Sequence, residues 1–320
     1  MLIVLLFTVY AVLDGFDAGV GVWYLFLPEE NRRLVVNKIG RFWYGNKAWL
    51  FTGGGALFVA FPELRDTVFG SFYPAVILVI GALILRAAAI ELRNIVDNRF
   101  WVSIWDIAYA GGGIILPLVF GLAVGNILKG LPLDRNGNYL GSFPRLLSHY
   151  SIAVGLTGII MFATQNSLYL AYKSDGIIRK KALEWVRFSW MLYLILFMDL
   201  TIWSISVSPY ISVNFKRYPP LFLVPVCGLA SIIFIPFLLK RGKIFAGFLS
   251  STVSVVVMMF IFGISIFPNF IPASGFKPNS LTIYNSSASE KTLLIMLAIT
   301  PIVMPLLILY TVYIHRDFRK

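Results

Sequence analysis

The run Asp14-Gly15-Phe16-Asp17-Ala18-Gly19-Val20-Gly21 places two carboxylates inside the first apolar stretch of the chain. A charge at bilayer depth is costly, so such residues usually face a protein interior or a water path and mark function. Asp14 and Asp17 are three residues apart and share one helical face, and Gly15 and Gly19 have the four-residue spacing that lets another helix approach closely. The alternative is a helix that frays at the membrane surface, with both aspartates among the lipid headgroups.

The composition around this run is that of an integral membrane protein. Of the 320 residues, 58% are hydrophobic and only 13% are charged, whereas soluble domains carry about 25% charged residues. Apolar runs of about 20 residues favour membrane-spanning helices over barrel strands, and only helices and closed barrels satisfy their backbone in lipid. The sequence therefore predicts an all-α, polytopic membrane protein.

The net charge of +12 does not indicate a nucleic-acid partner, because the basic residues lie in short loops between apolar runs. Membrane topology and contact with membrane lipids explain basic residues in such places. The single cysteine, Cys227, excludes an internal disulfide and a thiolate metal cluster. Residues 1–10 lack a basic region before their apolar run, so they do not resemble a cleaved signal peptide.

Nine apolar segments are predicted to span the membrane and to form a single integral membrane domain over residues 1–320. Spans 1–4 occupy roughly 2–124, spans 5–8 roughly 151–267, and span 9 roughly 292–314. The individual spans are 2–27, 40–61, 73–92, 102–124, 151–172, 185–207, 219–239, 244–267 and 292–314. The two longest loops, 125–150 and 268–291, are rich in Gly, Pro, Asn and Ser, which suits ordered turns outside the membrane.

The distribution of basic residues predicts the orientation. Of the 27 lysines and arginines, 17 lie at the loops and tail of one side and 7 at those of the other, with Lys47, Arg86 and Lys291 unassigned. The positive-inside rule then places the N-terminus outside and the C-terminus in the cytoplasm. An even number of spans would mix the two kinds of loop, so this separation favours nine.

Arg86 lies inside the third span and needs a partner there. Glu91 is five residues further on, about 140° around the helix, and does not face it. A carboxylate from another helix is the expected partner, and Asp14, Asp17 and Asp106 are available. The alternative is that Arg86 and Glu91 reach the cytoplasmic surface beside Arg93.

Other polar and aromatic residues in the spans give weaker signals. Trp43, Asn46 and Trp49 recur on one face of the second span, as an interfacial anchor would, and Trp105-Asp106 opens the fourth span in the same style. Asp199 is a lone carboxylate in the sixth span with no evident partner. His149 and His315, the two histidines, are not placed to face each other at membrane depth, and the eight methionines mostly suit packing, so no axial haem ligand is predicted.

At this point the residues show a family resemblance: the chain resembles subunit II of the cytochrome bd-type quinol oxidases. The match covers essentially the whole chain and is strongest in its first third. The matching segments are 14–21 (D-G-F-D-x-G-V-G), 43–49 (W-D-G-N-x-x-W), 52–62 (T-A-G-G-A-L-F-A-A-F-P), Arg86 with 91–93 (R-x-x-x-x-[ED]-x-R), 105–106 (W-D), 125–132 (G-N-x-x-x-G-x-P), 280–283, 292–293 and 305–313.

The resemblance implies a quinol:dioxygen oxidoreductase, a terminal oxidase of the electron transport chain in a prokaryotic cytoplasmic membrane. Subunit I of such an oxidase carries haems b and d, the quinol site and the oxygen-reducing centre. Subunit II supports it as the second half of a heterodimer, helps to supply protons, and holds a quinone or lipid as a structural ligand. It ligates no cofactor and no metal, has no catalytic residue, and is built as two four-helix bundles plus one extra helix. Small single-span accessory subunits are further expected partners.

The intramembrane charges and the resemblance together give two sets of site residues. The first is an intramembrane polar network or proton path, formed by Asp14, Asp17, Arg86, Glu91 and Asp106. The second carries family motifs and subunit packing and consists of Trp43, Asn46, Trp49, Trp105 and Asn126. Two further readings stay open beside the oxidase: a secondary transporter and a purely structural membrane scaffold. The acidic pair itself is either a charged brace or an element of a proton path, and the brace is favoured.

One position departs from the family pattern. The family's W-D-G-N reads Trp43-Tyr44-Gly45-Asn46 here, and Lys47 follows. The missing carboxylate is the one linked to proton uptake in this family, and a tyrosine with an ordinary pKa near 10 relays protons poorly at neutral pH. Lys47 is expected to add unfavourable positive charge. The hypothesis is that protons reach the oxidase through subunit I or by another route.

Overall fold

The computed structural model describes residues 2–207, 209–274 and 279–317, apart from the side chains at 38, 39, 41, 209, 210 and 315–317. Nearly all of this chain is helical, in keeping with the long apolar segments of the sequence. The helices are α1 (Leu2–Ala18), α2 (Val20–Tyr24), α3 (Glu29–Ala60), α4 (Pro62–Ser71), α5 (Tyr73–Leu92), α6 (Arg99–Lys129), α7 (Phe143–Leu146), α8 (His149–Lys173), α9 (Gly176–Val207), α10 (Pro209–Arg217), α11 (Leu223–Lys240), α12 (Ile244–Ile266) and α13 (Glu290–Asp317), with a 3₁₀ turn at Pro219–Phe222.

Eight segments of the described chain are long and apolar enough to cross a membrane. They are α1 with α2, α5, α6, α8, α9, the 3₁₀ turn with α11, α12 and α13. The prediction of an all-α polytopic membrane protein is therefore confirmed. The 32-residue helix α3 is not in this set, and it carries charged residues along its first half. Several helices run past their predicted ends: α3 begins at Glu29 and α9 at Gly176.

The first predicted span is not one continuous helix. Helix α1 ends at Ala18 and α2 begins at Val20, although Gly19 itself keeps near-helical dihedral angles (φ −59°, ψ −21°). Beyond Gly19 the backbone ladder shortens, since the Val22 N–H bonds to the Gly19 carbonyl. A Cβ atom at position 19 would overlap the Phe162 carbonyl of α8. Glycine is thus required at the break because α8 packs directly on the backbone there.

Helix α1 lies at the centre of the molecule and packs against α3, α6, α8 and α12. Helix α8 joins α6 to α9, and α13 packs on α3. Small residues allow the closest of these approaches: a Cβ at Gly21 of α2 would lie 2.7 Å from the Ala110 carbonyl of α6 and 2.8 Å from the Gly113 Cα. Lipid tails are as apolar as the side chains, so association of helices in a membrane depends on close van der Waals packing of this kind.

The two longest loops fold together at one end of the bundle. The strands β1 (Asn269–Ile271) and β2 (Leu281–Thr282) pair antiparallel, and Leu131 exchanges backbone hydrogen bonds of 2.8 Å with Pro272 and Ser274. Apolar side chains from both loops and from α4 form a shared core. Its buried members are Leu64, Phe72, Leu131, Leu133, Leu146, Ile271, Ala273 and Leu281. The described parts of the two loops are therefore ordered, as expected, and they also share a small hydrophobic core.

Candidate functional site: buried ion pairs around the first helix

The innermost charges of the molecule are Asp17 and Arg86, which form an ion pair between α1 and α5. Arg86 Nη2 donates to Asp17 Oδ1 at 2.7 Å, and both side chains are fully buried. The guanidinium also lies over the ring of Tyr109 on α6, with Cζ 4.9 Å from the ring centre. Of the three aspartates that the sequence offered as partners for Arg86, the structure selects Asp17.

The same arginine helps to stabilise the break at Gly19. Where a helix ladder is interrupted, backbone carbonyls lose their partners and need replacements inside the membrane. Arg86 Nη2 donates to the Asp17 carbonyl at 3.1 Å, and Asn166 Nδ2 of α8 donates to the Phe16 carbonyl at 2.6 Å. The break is thus held by side chains from α5 and α8. Sequence reasoning assigned no role to Asn166.

Asp14 forms a second buried ion pair, with Lys47 of α3. The Tyr10 hydroxyl donates to the other Asp14 oxygen at 2.7 Å. The Lys47 ammonium also lies 5.5 Å from the ring centre of Tyr10 and 5.3 Å from that of Trp43. The expectation that Lys47 adds unfavourable charge is therefore wrong, because Asp14 compensates it. The sequence contained one signal for this pair. Lys47 lies close to Trp43 in a predicted span, and the first span carries two carboxylates, of which Arg86 needs only one.

Asp106 forms no ion pair with Arg86 and lies at the centre of a separate cluster near the start of α6. Arg93 donates to it from Nε at 2.5 Å and from Nη2 at 3.3 Å. Arg32 donates at 3.2 Å and the Tyr24 hydroxyl at 2.6 Å. This cluster joins α2, α3, the end of α5 and α6, and the Arg32 side chain is 24% exposed.

Glu91 does not join the buried charges. It is exposed, and its Oε1 accepts a hydrogen bond of 2.8 Å from the hydroxyl of Tyr44, which is 49% exposed. The two residues lie on α3 and α5 at a surface of the subunit. Tyr44 thus contacts a carboxylate of the predicted polar network.

The residues of the second predicted set, which carry the family motifs, lie at contacts between or within helices. Asn46 is buried and donates to the Leu13 carbonyl of α1 at 2.9 Å, and Trp49 Nε1 donates to Thr311 Oγ1 of α13 at 2.8 Å. Asn126 donates to the Leu146 carbonyl at 2.7 Å, which fixes the end of α6 to α7. Trp43 is buried beside Lys47, and Trp105 packs edge-on against Trp101.

Several buried polar atoms near the break have no hydrogen-bond partner among the residues that the structure describes. They are Asp17 Oδ2, Arg86 Nε and Nη1, Gln165 Oε1 and Asn166 Oδ1. Groups of this kind are the usual binding positions of internal water. The interface between α1, α5 and α8 is therefore polar enough to hold water beside the ion pair.

A largely apolar cavity of about 370 Å³ lies next to the same helix. Its walls come from α1, α3, α4, α6, α8 and α12 and from β1. Leu116, Phe120, Met161, Met258 and Phe262 are typical lining residues. Tyr10 and Asp14 contribute polar groups to the wall. An apolar chain fits such walls better than a polar ligand.

Among the residues that the structure describes, no group of three His, Cys, Asp or Glu side chains could hold a metal ion. His149 is exposed at the start of α8. The side chain of His315 lies outside the described residues.

Fold and site together define the class: a polytopic helical membrane protein whose interior is joined by ion pairs. The family described as cytochrome bd terminal oxidase subunit II matches residues 1–318. A solved structure of bd oxidase from Geobacillus thermodenitrificans superimposes with a TM-score of 0.77 at 15% identity, over 99% of this chain and 96% of that chain, and so has the same fold.

Curated relatives match at nearly full length. The chain is 28% identical to the cytochrome bd-I ubiquinol oxidase subunit 2 of Escherichia coli strain K12, over 96% of this chain and 89% of the relative. It is 29% identical to the cytochrome bd ubiquinol oxidase subunit 2 of Bacillus subtilis, over 100% and 94%. The chain belongs to the cytochrome bd terminal oxidase subunit II family. It is therefore a multi-pass inner-membrane component of a respiratory oxidoreductase that pairs with a subunit I.

Proposed function

We propose that this chain is the non-haem, structural half of a quinol:dioxygen oxidoreductase and that its buried charges act as a brace. The observation that carries the proposal is the pair of buried contacts Asp17–Arg86 and Asp14–Lys47. They connect the central helix α1 to α5 and α3, and each charge has its opposite within the same chain. Haems b and d and the site of quinol oxidation then belong to subunit I.

The brace suits the position of α1. This helix is interrupted at Gly19, and an interrupted helix in a membrane depends on neighbouring side chains for its free backbone groups. Arg86 serves both the Asp17 carboxylate and the Asp17 carbonyl. Breaking this contact would leave both a buried charge and a buried carbonyl without their partner, which is costly in hydrocarbon.

The proposed topology has nine spans. They are the eight segments given above and, as the second span along the chain, the second half of α3. The second half of α3 runs beside α1 and α13, and the charged first half extends beyond the bilayer on the basic side. The N-terminus then lies outside and the C-terminus in the cytoplasm, in keeping with the positive-inside count. Spans 1–4 and spans 5–8 form two four-helix bundles in one membrane domain, and α13 is the additional helix that packs on α3.

Subunit I is proposed to dock on the surface formed by α3, α5 and α13. In the most apolar stretch of α13, no residue is buried within this chain. In that of α5, 17% of the residues are buried. The exposed Tyr44–Glu91 pair lies on the same side. An ionisable pair is poorly placed against lipid tails but well placed inside a protein interface, which favours a protein neighbour over lipid there.

The cavity beside α1 is proposed to hold the isoprenoid tail of a quinone or a lipid acyl chain. Its apolar walls fit such a chain, and Tyr10 and Asp14 are two polar residues at the wall. Both polar side chains are already bonded to each other. The ligand would therefore act through packing and would stabilise the contacts between α1, α6, α8 and α12.

Proton supply is proposed to bypass Tyr44. This residue is bonded to Glu91 at the surface and takes the place of the family's carboxylate. Asp14 contacts Lys47 and Asp17 contacts Arg86, so each carboxylate of α1 is engaged by a cation of a neighbouring helix. The remaining routes run through subunit I or through water at the subunit interface.

Affinity purification through a tag on this chain tests the assignment. The complex with its cognate subunit I is expected to show the full haem spectrum, and this chain produced alone is expected to show none. Haem retained by this chain without subunit I would contradict the proposal. Arg65→Leu is the control for substitutions in the buried ion pairs. Arg65 forms an exposed ion pair with Asp66, so this substitution is expected to leave assembly of the complex unchanged.

A further inference from the structure

Asp199 is a carboxylate on the outer surface of a membrane-spanning helix. It lies in α9 and is exposed. It precedes the end of the helix at Val207 by eight residues, about 12 Å of helix rise, and follows the next charged residue, Arg187, by twelve residues, about 18 Å. An aspartate side chain is too short to reach water from this depth. Among the residues that the structure describes, none forms a hydrogen bond or an ion pair with Asp199, so its partner comes from outside the chain.

The side chain of Asp199 lies on the side of α9 that faces away from the rest of the chain. Val186, Tyr193 and Phe197 are buried and mark the side of α9 that packs inside the chain. Asp199 is two residues after Phe197, about 200° around the helix. It therefore faces the surrounding membrane or a neighbouring molecule.

Asp199 is the one ionisable residue in a stripe of α9 whose members follow one another at alternating spacings of four and three residues. The members of this α9 stripe are Phe188, Leu192, Ile195, Asp199, Ile202 and Ser206. Phe188, Ile195 and Ile202 are 59%, 56% and 68% exposed. The spacing is that of two parallel helices that cross at a small left-handed angle. In such a pair, a single polar residue at a core position fixes the register and the number of helices.

A second copy of the chain presents the same stripe at the same depth. All copies insert with the same orientation, so a two-fold axis normal to the membrane brings Asp199 of one copy opposite Asp199 of the other. A protonated carboxyl group has both a hydrogen-bond donor and an acceptor, and two carboxyl groups in close contact share a proton rather than ionise together. The stripe is therefore self-complementary, whereas lipid tails offer Asp199 no hydrogen-bonding group.

The α9 stripe is separate from the surface proposed for subunit I. That surface lies on α3, α5 and α13, whereas α9 packs on α8, α10 and α11. A second copy on α9 thus leaves the place of subunit I free. Contact through one pair of identical helices is closed by the two-fold axis and stops at two copies.

We propose that the α9 stripes of two copies pack against each other and join two oxidase complexes into a symmetric dimer, with the two Asp199 carboxyl groups hydrogen-bonded to each other at the axis. The flanking isoleucines supply the apolar contacts, and the Ser206 side chains meet two turns further along. The inference goes beyond the proposed function and does not depend on the brace or on the cavity.

Cysteine cross-linking in membranes that contain the whole complex tests this inference. The single native cysteine is first removed by Cys227→Ser, and Ile202→Cys or Thr201→Cys is then introduced. Both positions are exposed. They lie at nearly the same depth but about 100° apart around the helix. Under a membrane-permeant oxidant, Ile202→Cys is expected to give a disulfide-linked dimer of this chain, and Thr201→Cys is the matched control that gives none.

Substitutions at Asp199 separate a specific pair from random collision. Asp199→Asn keeps a donor and an acceptor and is expected to retain the dimer of Ile202→Cys. Asp199→Leu is expected to lower the dimer yield about tenfold, because it removes the hydrogen bonds between the helices. Haem content per chain, measured in the same samples, is expected to stay unchanged in all variants. Loss of the dimer at normal haem content therefore leaves the pairing with subunit I intact.

Three results would overturn the proposal. The first is the absence of a disulfide-linked dimer of this chain in Ile202→Cys complexes with normal haem content, including a product that contains a different polypeptide instead. The second is equal cross-linking at positions 201 and 202. The third is a dimer yield that does not change in Asp199→Leu.

Discussion

The buried pairs of α1 and the Asp106 cluster are both ionic, but they differ in how their charges are satisfied. Asp17 and Arg86 are fully buried and depend on each other. Asp106 accepts hydrogen bonds from Tyr24, Arg32 and Arg93, one of which is partly exposed. Removing Arg86 therefore leaves the Asp17 carboxylate without its cation, whereas removing Arg32 leaves Asp106 with hydrogen bonds from Tyr24 and Arg93. We therefore expect loss of one member of an inner pair to impair helix assembly, and loss of one donor to Asp106 to have a smaller effect.

The largest effect is expected from Arg86→Met. It leaves the Asp17 carboxylate and carbonyl without their buried partner, and loss of one member of a buried ion pair costs about 3–5 kcal/mol. The yield of haem-containing complex should fall sharply, as measured by haem absorbance per tagged chain. The control is Asp17→Asn combined with Arg86→Met, which removes both charges and should recover much of the yield. A double variant as poor as the single one would contradict the charge argument.

Lys47→Met is the next test, on the second inner pair. Asp14 would lose its cation but keep the Tyr10 hydroxyl, so we expect a smaller loss of about 2–3 kcal/mol. The thermal midpoint of the complex measures it. Asp14→Asn combined with Lys47→Met should restore most of the midpoint. An unchanged midpoint in Lys47→Met alone would mean that the pair does not stabilise α1 against α3.

Arg32→Met should have a moderate effect. Asp106 keeps the hydrogen bonds from Tyr24 and Arg93, and the Arg32 side chain is partly exposed, so the expected loss is about 1–2 kcal/mol. The assembled complex should keep its haems and become easier to cleave by protease between α2 and α3. A loss as severe as that of Arg86→Met would remove the distinction between the two regions.

Tyr44→Phe should have the smallest effect. It removes one hydrogen bond at an exposed position, and such bonds within membranes average about 0.6 kcal/mol. Turnover and proton uptake of the complex should stay nearly intact, measured as oxygen consumption and as pH change in sealed vesicles. A severe loss of either would show that protons pass this position.

The same comparison shows what the sequence could predict. Hydropathy predicts the eight described segments that are long and apolar enough to cross a membrane. A buried arginine requires a carboxylate, so an Asp–Arg contact was predictable. Which aspartate pairs with Arg86 depends on the rotation of α5 against α1, which the periodicity of one helix does not determine. The break at Gly19 and the contact from Asn166 depend on α8, about 150 residues further along the chain. Lys47 was misjudged because its compensating charge lies on another helix.

The central claim is that the carboxylates of α1 brace the subunit and do not carry protons. The most direct test is the double variant Asp17→Asn, Arg86→Gln, which keeps hydrogen-bonding groups and removes both charges. Oxygen consumption per assembled haem and proton uptake by the purified complex are the measurements. The brace predicts rates close to those of the unaltered complex, even if less complex is obtained. A fully assembled complex with normal haem content and a rate lowered by about tenfold, equivalent to about 1.4 kcal/mol of activation free energy, would contradict it.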